Sequence, residues 1–193
     1  MFKQRSGTTT IFVVDASGSA ALQRLAETKG AVELLLADAY VRRDKVALIA
    51  FRGQAAELLL PPTNALARAR RSLAGLPGGG GTPLASGIDA AVTLAETITR
   101  AGQTPIITLL TDGRANIARD GTPGRPQAEA DALASAARIR AAGLTTLLID
   151  ISPRPNPSAQ RLAEAMGARY FPLPQADAAK LSRIVRGSPA RAA

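Results

Sequence analysis

Short apolar runs alternate with longer amphipathic segments along the whole chain. Thr8 to Val14 (TTTIFVV) is β-branched and continuous, and it ends at Asp15, the pattern of a strand buried on both faces with a polar tip. Ala21 to Arg43 places Leu22, Leu25, Val32, Leu35, Leu36 and Ala39 at helical spacing. Lys45 to Phe51 and Ala55 to Leu60 read as two strands separated only by Arg52-Gly53-Gln54. A connection that short predicts an antiparallel hairpin, and Pro61-Pro62 is expected to end it. Asn64 is placed to cap a helix over Ala65 to Leu73, and Gly75 to Gly81 is a loop.

Thr82-Pro83 then predicts a helix start, with Thr82 as cap and Pro83 in the first turn, running to about Arg100. Pro105 to Leu110 reads as a strand closed by Thr111-Asp112-Gly113. A Gly- and Pro-rich loop, Gly121 to Pro126, leads to a helix from about Gln127 to Ala142. Leu144 to Ile151 is a strand, Ser158 to Met166 a helix, Arg169 to Leu173 a short strand, and Ala176 to Val185 a last helix. Strands alternating with helices predict an α/β fold, a doubly wound and mostly parallel sheet covered on both faces. Ligands of such sheets bind at the carboxyl ends of the strands, where the winding reverses. No internal repeat interrupts residues 1–187, which read as one domain followed by a flexible tail at 188–193.

Composition narrows the chemistry. The 193 residues include no Cys and no His, which excludes disulfides, Cys/His zinc sites, cysteine nucleophiles and imidazole-based triads. A metal here must be held by oxygen, which favours Mg²⁺, Mn²⁺ or Ca²⁺. The net charge of +9 raises nucleic acid or an acidic protein as partner. Aromatic residues are too few to stack bases, and the arginines are scattered, so the surplus reads as a solvated basic surface with an acidic protein partner as the next alternative. No nucleic acid is expected. The opening residues lack a signal-peptide pattern and no run is long enough to span a bilayer, so a soluble, cytoplasmic protein is expected.

Three polar loops carry the candidate chemistry: Asp15-Ala16-Ser17-Gly18-Ser19, Gly80-Gly81-Thr82-Pro83 and Thr111-Asp112-Gly113. Each follows a strand or opens a helix, so all three belong at one end of the sheet. Asp15, Ser17, Ser19, Thr82 and Asp112 then offer two carboxylates and three hydroxyls, a set suited to Mg²⁺ that leaves a position free. Two carboxylates only balance a dication, so the ion would still accept an anionic oxygen from a partner's Glu or Asp. Gly81, and Arg114 beside the site, are candidate contacts for that partner.

The arrangement resembles the metal-ion-dependent adhesion site of von Willebrand factor A, or integrin I, domains. The family's D-x-S-x-S matches Asp15, Ser17 and Ser19, its separate Thr matches Thr82, and its T-D-G matches Thr111-Asp112-Gly113. The resemblance implies a six-stranded sheet of order 3-2-1-4-5-6 with strand 3 antiparallel. It also implies ligation by the hydroxyls of Ser17, Ser19 and Thr82, with Asp15 and Asp112 acting directly or through water. More narrowly, VVDASGSAA, LPGGGGTPLASGIDAA, TLLTDGRANIARDG and IDISPRP resemble the carboxy-terminal domain of magnesium chelatase D subunits, over roughly residues 8 to 187. That implies a non-catalytic, Mg²⁺-dependent protein-binding domain, with Mn²⁺ a possible substitute for Mg²⁺. It would work with an AAA+ ATPase I subunit and a porphyrin-binding H subunit in Mg²⁺ insertion into protoporphyrin IX, in chlorophyll or bacteriochlorophyll biosynthesis. The AAA+ module and acidic linker of such D subunits are not in this sequence. A cobalt chelatase-like or other AAA+-associated domain is the alternative.

Two other readings fare poorly. Gly78 to Gly81 is followed by no Gly-Lys-Ser/Thr and does not give G-x-G-x-x-G, so a phosphate cradle is not expected; the glycines read instead as a flexible loop that lets Thr82 move. Asp15 as a phosphoryl-accepting nucleophile would want a second acid nearby and a later Lys, but position 17 is Ser and no Lys lies between Lys45 and Lys180. Asp89 and Glu96 fall on the third predicted helix and are given no role.

Overall fold

β1, Thr8–Asp15, lies at the centre of a six-stranded sheet because both of its faces are apolar. Ile11 and Val13 point into one core, Phe12 and Val14 into the other, and all four are at most 1% exposed. Each such side chain contributes on the order of 1.5–3 kcal/mol by burial. The computed structural model describes residues 7–18 and 21–173, and for residues 21–24 the backbone alone. The helix expected at 176–185 and the tail at 188–193 lie outside the described residues.

The remaining elements are α1 (Ala21–Val41), β2 (Lys45–Arg52), β3 (Ala55–Thr63), α2 (Leu66–Ala74), α3 (Leu84–Arg100), β4 (Thr104–Thr111), α4 (Arg125–Ala141), β5 (Thr145–Asp150), α5 (Pro157–Met166) and β6 (Arg169–Pro172). The sheet order is β3-β2-β1-β4-β5-β6. All neighbours are parallel except β2 and β3, which form the expected antiparallel hairpin. α3, α4 and α5 cover the face carrying Ile11 and Val13; α1 and α2 cover the other. On the first face α3 comes so close to β2 that a Cβ on Gly87 would sit 2.6 Å from the Phe51 ring. A side chain there would force the helix off the sheet.

Three local readings are corrected. β3 does not stop at Pro61-Pro62 but continues to Thr63, with a shifted register near Leu48. An edge strand has one row of N–H groups with no ladder partner to lose, so it tolerates proline. Asn64 does not cap α2: Ala65 holds the cap position without a side-chain bond, and the Thr63 hydroxyl accepts from the Ala65 N–H at 3.1 Å. Thr82 does not cap α3 either. Pro83 occupies that position and α3 begins at Leu84, which leaves the Thr82 hydroxyl for another use.

The chain winds outward from β1 through β2 to β3, and from β4 through β5 to β6 in the other direction. The reversal therefore lies between β1 and β4, the place where a doubly wound sheet opens a crevice beyond its strand ends.

Candidate metal centre

The carboxyl end of β1 places Asp15 at that crevice. The parallel register pairs Val14 with Leu110, so Thr111, the last residue of β4, comes beside Asp15. Asp15 is only 7% exposed, and both of its oxygens are engaged. Oδ1 accepts from the Ser17 N–H at 3.0 Å and from the Ser17 hydroxyl at 2.5 Å; Oδ2 accepts from the Thr111 hydroxyl at 3.2 Å. Ser17 then accepts in turn from the Thr82 hydroxyl, Oγ to Oγ1 at 2.8 Å. A carboxylate and two hydroxyls from distant stretches thus form one chain of oxygens.

Asp112 lines the same pocket, with Gly18, Arg114, Asn116 and Arg125 also on its wall. Its Oδ1 accepts from the Arg114 N–H at 2.9 Å, a turn that holds the carboxylate at the pocket. Gly113 makes that turn possible. It has φ of +79°, and a Cβ there would lie 2.3 Å from the backbone nitrogen of Ala159 at the start of α5.

The glycine loop is pinned, in contrast to the loose hinge expected of it. Gly79 N–H donates to the Ala16 carbonyl at 2.9 Å, Gly18 N–H to Gly80 O at 3.0 Å, and Gly53 N–H to Gly81 O at 3.0 Å. Four glycines in a row permit this close lacing of backbone to backbone. Gly81 itself is half-buried, and a Cβ on it would meet Ile117 Cγ1 at 2.6 Å and Gly53 O at 2.8 Å. A side chain larger than hydrogen is therefore excluded at Gly81.

Electrostatics mark Asp15 as a carboxylate short of positive charge. Burial pushes its carboxyl up to about 6, and the nearby Asp112 adds to the rise, against the opposing hydrogen bonds from Ser17 and Thr111. A divalent cation would reverse that cost. The donor set fits a hard ion, since every candidate atom is oxygen and two of the groups are carboxylates. Among the described residues no cluster of three or more acidic side chains exists that could hold a metal alone, so hydroxyls would have to complete the shell.

Of the residues singled out in the sequence, Asp15, Ser17, Thr82, Asp112 and Arg114 are therefore brought to one pocket. Ser19 lies outside the described residues. Asn116 and Arg125 also line the pocket without having been foreseen, and Thr111, named with its T-D-G loop but given no role, donates its hydroxyl proton to Asp15. Asp89, given no role, pairs with Arg119 at 2.8 Å and Arg138 at 3.1 Å, tying the loop after β4 to α3 and α4. Arg42, Arg70 and Arg100 likewise pair with carboxylates of this chain, which breaks up the basic surface. Among the described residues, no helix is long and apolar enough to cross a membrane.

Comparison with known proteins agrees with the architecture. The chain is 55% identical over 184 residues to the magnesium-chelatase 60 kDa subunit of Cereibacter sphaeroides, covering 95% of this chain and 33% of that protein. It is 52% identical over 183 residues to the subunit of the same name from Rhodobacter capsulatus, with the same coverage of each. The chain thus spans about one third of the length of these relatives. Among solved structures, the vWF domain of the type V pili tip protein Mfa5 from Porphyromonas gingivalis superposes with a TM-score of 0.73 at 13% identity, over 94% of both chains, a likeness of fold. Residues 10–114, from the middle of β1 past Asp112, match the von Willebrand factor type A domain. The chain belongs to the von Willebrand factor type A domain family.

Proposed function

We propose that this chain is a non-catalytic, metal-dependent protein-binding domain of a magnesium chelatase subunit. Asp15, Ser17, Ser19, Thr82 and Asp112 would hold Mg²⁺, or Mn²⁺ in its place. The bound dication supplies a position that accepts a carboxylate oxygen from a partner, the AAA+ I subunit. In the assembled complex, with a porphyrin-binding H subunit, the domain serves assembly for Mg²⁺ insertion into protoporphyrin IX. The magnesium inserted is the substrate of that complex and distinct from the ion held here.

The observation that carries this reading is the oxygen chain Asp15–Ser17–Thr82 with Asp112 on the same pocket wall. The similarity to magnesium-chelatase 60 kDa subunits supplies the context. The residues of this chain divide the work. Asp15 and Asp112 contribute charge, while Ser17 and Thr82 contribute neutral oxygens, so the site neutralises a dication without quenching its pull on a further anion. Arg114, which lines the pocket and is exposed, adds a second attraction for an acidic side chain. Thr111 and the amide of Ser17 hold Asp15 in one orientation.

The test is binding of an immobilised I subunit by this chain in Mg²⁺, with EDTA, and with Asp15→Ala under each condition. Binding confined to the unsubstituted chain in Mg²⁺ is expected. Equal binding in all four combinations would overturn the reading.

A further inference from the structure

Thr82 is also gripped by a pocket residue that the oxygen motif does not include. Its N–H donates to the side-chain Oδ1 of Asn116 at 2.7 Å. Its carbonyl accepts from the N–H of Asn116 at 3.2 Å and from that of Ile117 at 3.3 Å. Both polar groups of the Thr82 peptide therefore end on one loop, the one that follows Asp112. The Thr82 hydroxyl is meanwhile directed at Ser17.

That loop has its own anchorage. Ala118 N–H donates to Thr122 O at 2.8 Å and Gly124 N–H to Asn116 O at 2.9 Å, closing a small hairpin with a bridge between Ile117 and Pro123. Arg119 fastens it outward, to Asp89 at 2.8 Å and to the Ser135 hydroxyl at 2.7 Å. Asn116 thus hangs from a braced support, and Thr82, next after the pinned glycine loop, takes the acceptor for its own N–H from it.

We infer that Asn116 is a positioning residue, one that sets Thr82 for ligation by clasping its peptide through both N–H and C=O. The inference rests on the proposed metal-dependent function and extends it. Without the Asn116 side chain the backbone contacts to the Thr82 carbonyl remain, but the Thr82 N–H loses its acceptor and the peptide is free to tilt. The hydroxyl then spends part of its time away from Ser17. Because Asn116 is exposed, its removal should cost affinity rather than folding.

The experiment is a titration with Mn²⁺, followed by the loss of the free-ion electron paramagnetic resonance signal, on the unsubstituted chain, Asn116→Ala, Thr82→Ala and the double variant. Thermal melting without metal is recorded alongside. Asn116→Ala is expected to weaken Mn²⁺ binding about threefold to tenfold, the worth of one hydrogen bond. In the Thr82→Ala background the same change should do nothing further, since its action passes through Thr82. Asn116→Asp, which keeps the acceptor, should bind at least as tightly as the unsubstituted chain. Unweakened binding by Asn116→Ala, or additive losses in the double variant, would overturn the positioning role while leaving the metal site standing. Failure of the unsubstituted chain to bind Mn²⁺ would instead overturn the metal reading, and this inference with it.

Discussion

Ser17 and Thr82 meet hydroxyl to hydroxyl at 2.8 Å across a separation of 65 residues. One follows the central strand and the other precedes α3, so their meeting depends on the strand order and the glycine loop together. The two oxygens should therefore act as one unit toward a cation, with Asp15 behind them. Magnesium at about a hundred times its dissociation constant should raise stability by about 2.7 kcal/mol in the unsubstituted chain. Asp15→Ala should abolish the rise and Thr82→Ala should reduce it, as read from urea unfolding with and without Mg²⁺. A rise of undiminished size in Asp15→Ala would place the ion elsewhere.

The buried carboxyl of Asp15 carries a pH signature when metal is removed. Its value is raised from 3.8 to about 6 by burial, so the folded state holds the proton more tightly than the unfolded chain. The stability it contributes is complete below about pH 4 and is lost as the pH rises through about 6. The loss amounts to about 3 kcal/mol. In EDTA, unfolding free energy should thus fall between pH 4 and pH 6.5. Asp15→Asn, which keeps an acceptor for Ser17 without the charge, should show a flatter profile and greater stability at pH 8. Parallel profiles for the two proteins would contradict the assignment.

Arg114 and Arg125 rim the pocket, both exposed and neither in an ion pair within the described residues. Reversing either charge should slow association with an acidic partner at low salt and matter less as salt rises, because exposed charges are screened beyond about 8–10 Å. Association rates of Arg114→Glu and Arg125→Glu toward the I subunit, measured across ionic strength, check this. Mn²⁺ affinity should not fall in either variant, since each removes a positive charge from the wall of the proposed metal pocket.

Two glycines with the same sign of φ should respond very differently to alanine. Gly113 has φ of +79° and its Cβ would strike the backbone of Ala159, whereas Gly102 has φ of +77° and open space around it. Gly102→Ala should cost about 1–2 kcal/mol, the penalty of the left-handed backbone alone. Gly113→Ala adds a backbone collision and should cost about 2–5 kcal/mol. Urea midpoints of the two variants make the comparison, and equal costs would contradict the packing of the loop against α5.

Much of this architecture was legible in residue order. β1 announced itself because a strand covered on both faces needs an unbroken apolar run, and TTTIFVV has little other use. That Asp15, Ser17, Thr82 and Asp112 share one end of the sheet is readable because each is a polar residue where a strand ends or a helix is about to begin. The part of Asn116 is not readable, since its value depends on a hairpin folding back over the glycine loop, and its spacing from Thr82 has no local meaning. Thr111 stands out only as part of the T-D-G loop, and the pairing of β1 with β4 is what shows that its hydroxyl reaches Asp15. The proline pair was misread because stopping a strand and lying on a sheet's border look alike in one dimension.

That proline pair has a consequence for crowded assemblies. Strand borders invite sideways growth by backbone zippering with another chain, the first step toward insoluble fibres. One border of this sheet carries Pro61 and Pro62 with a shifted register, and the other is the four-residue β6. Copies crowded together at high concentration therefore run little risk of fusing through the borders of their sheets.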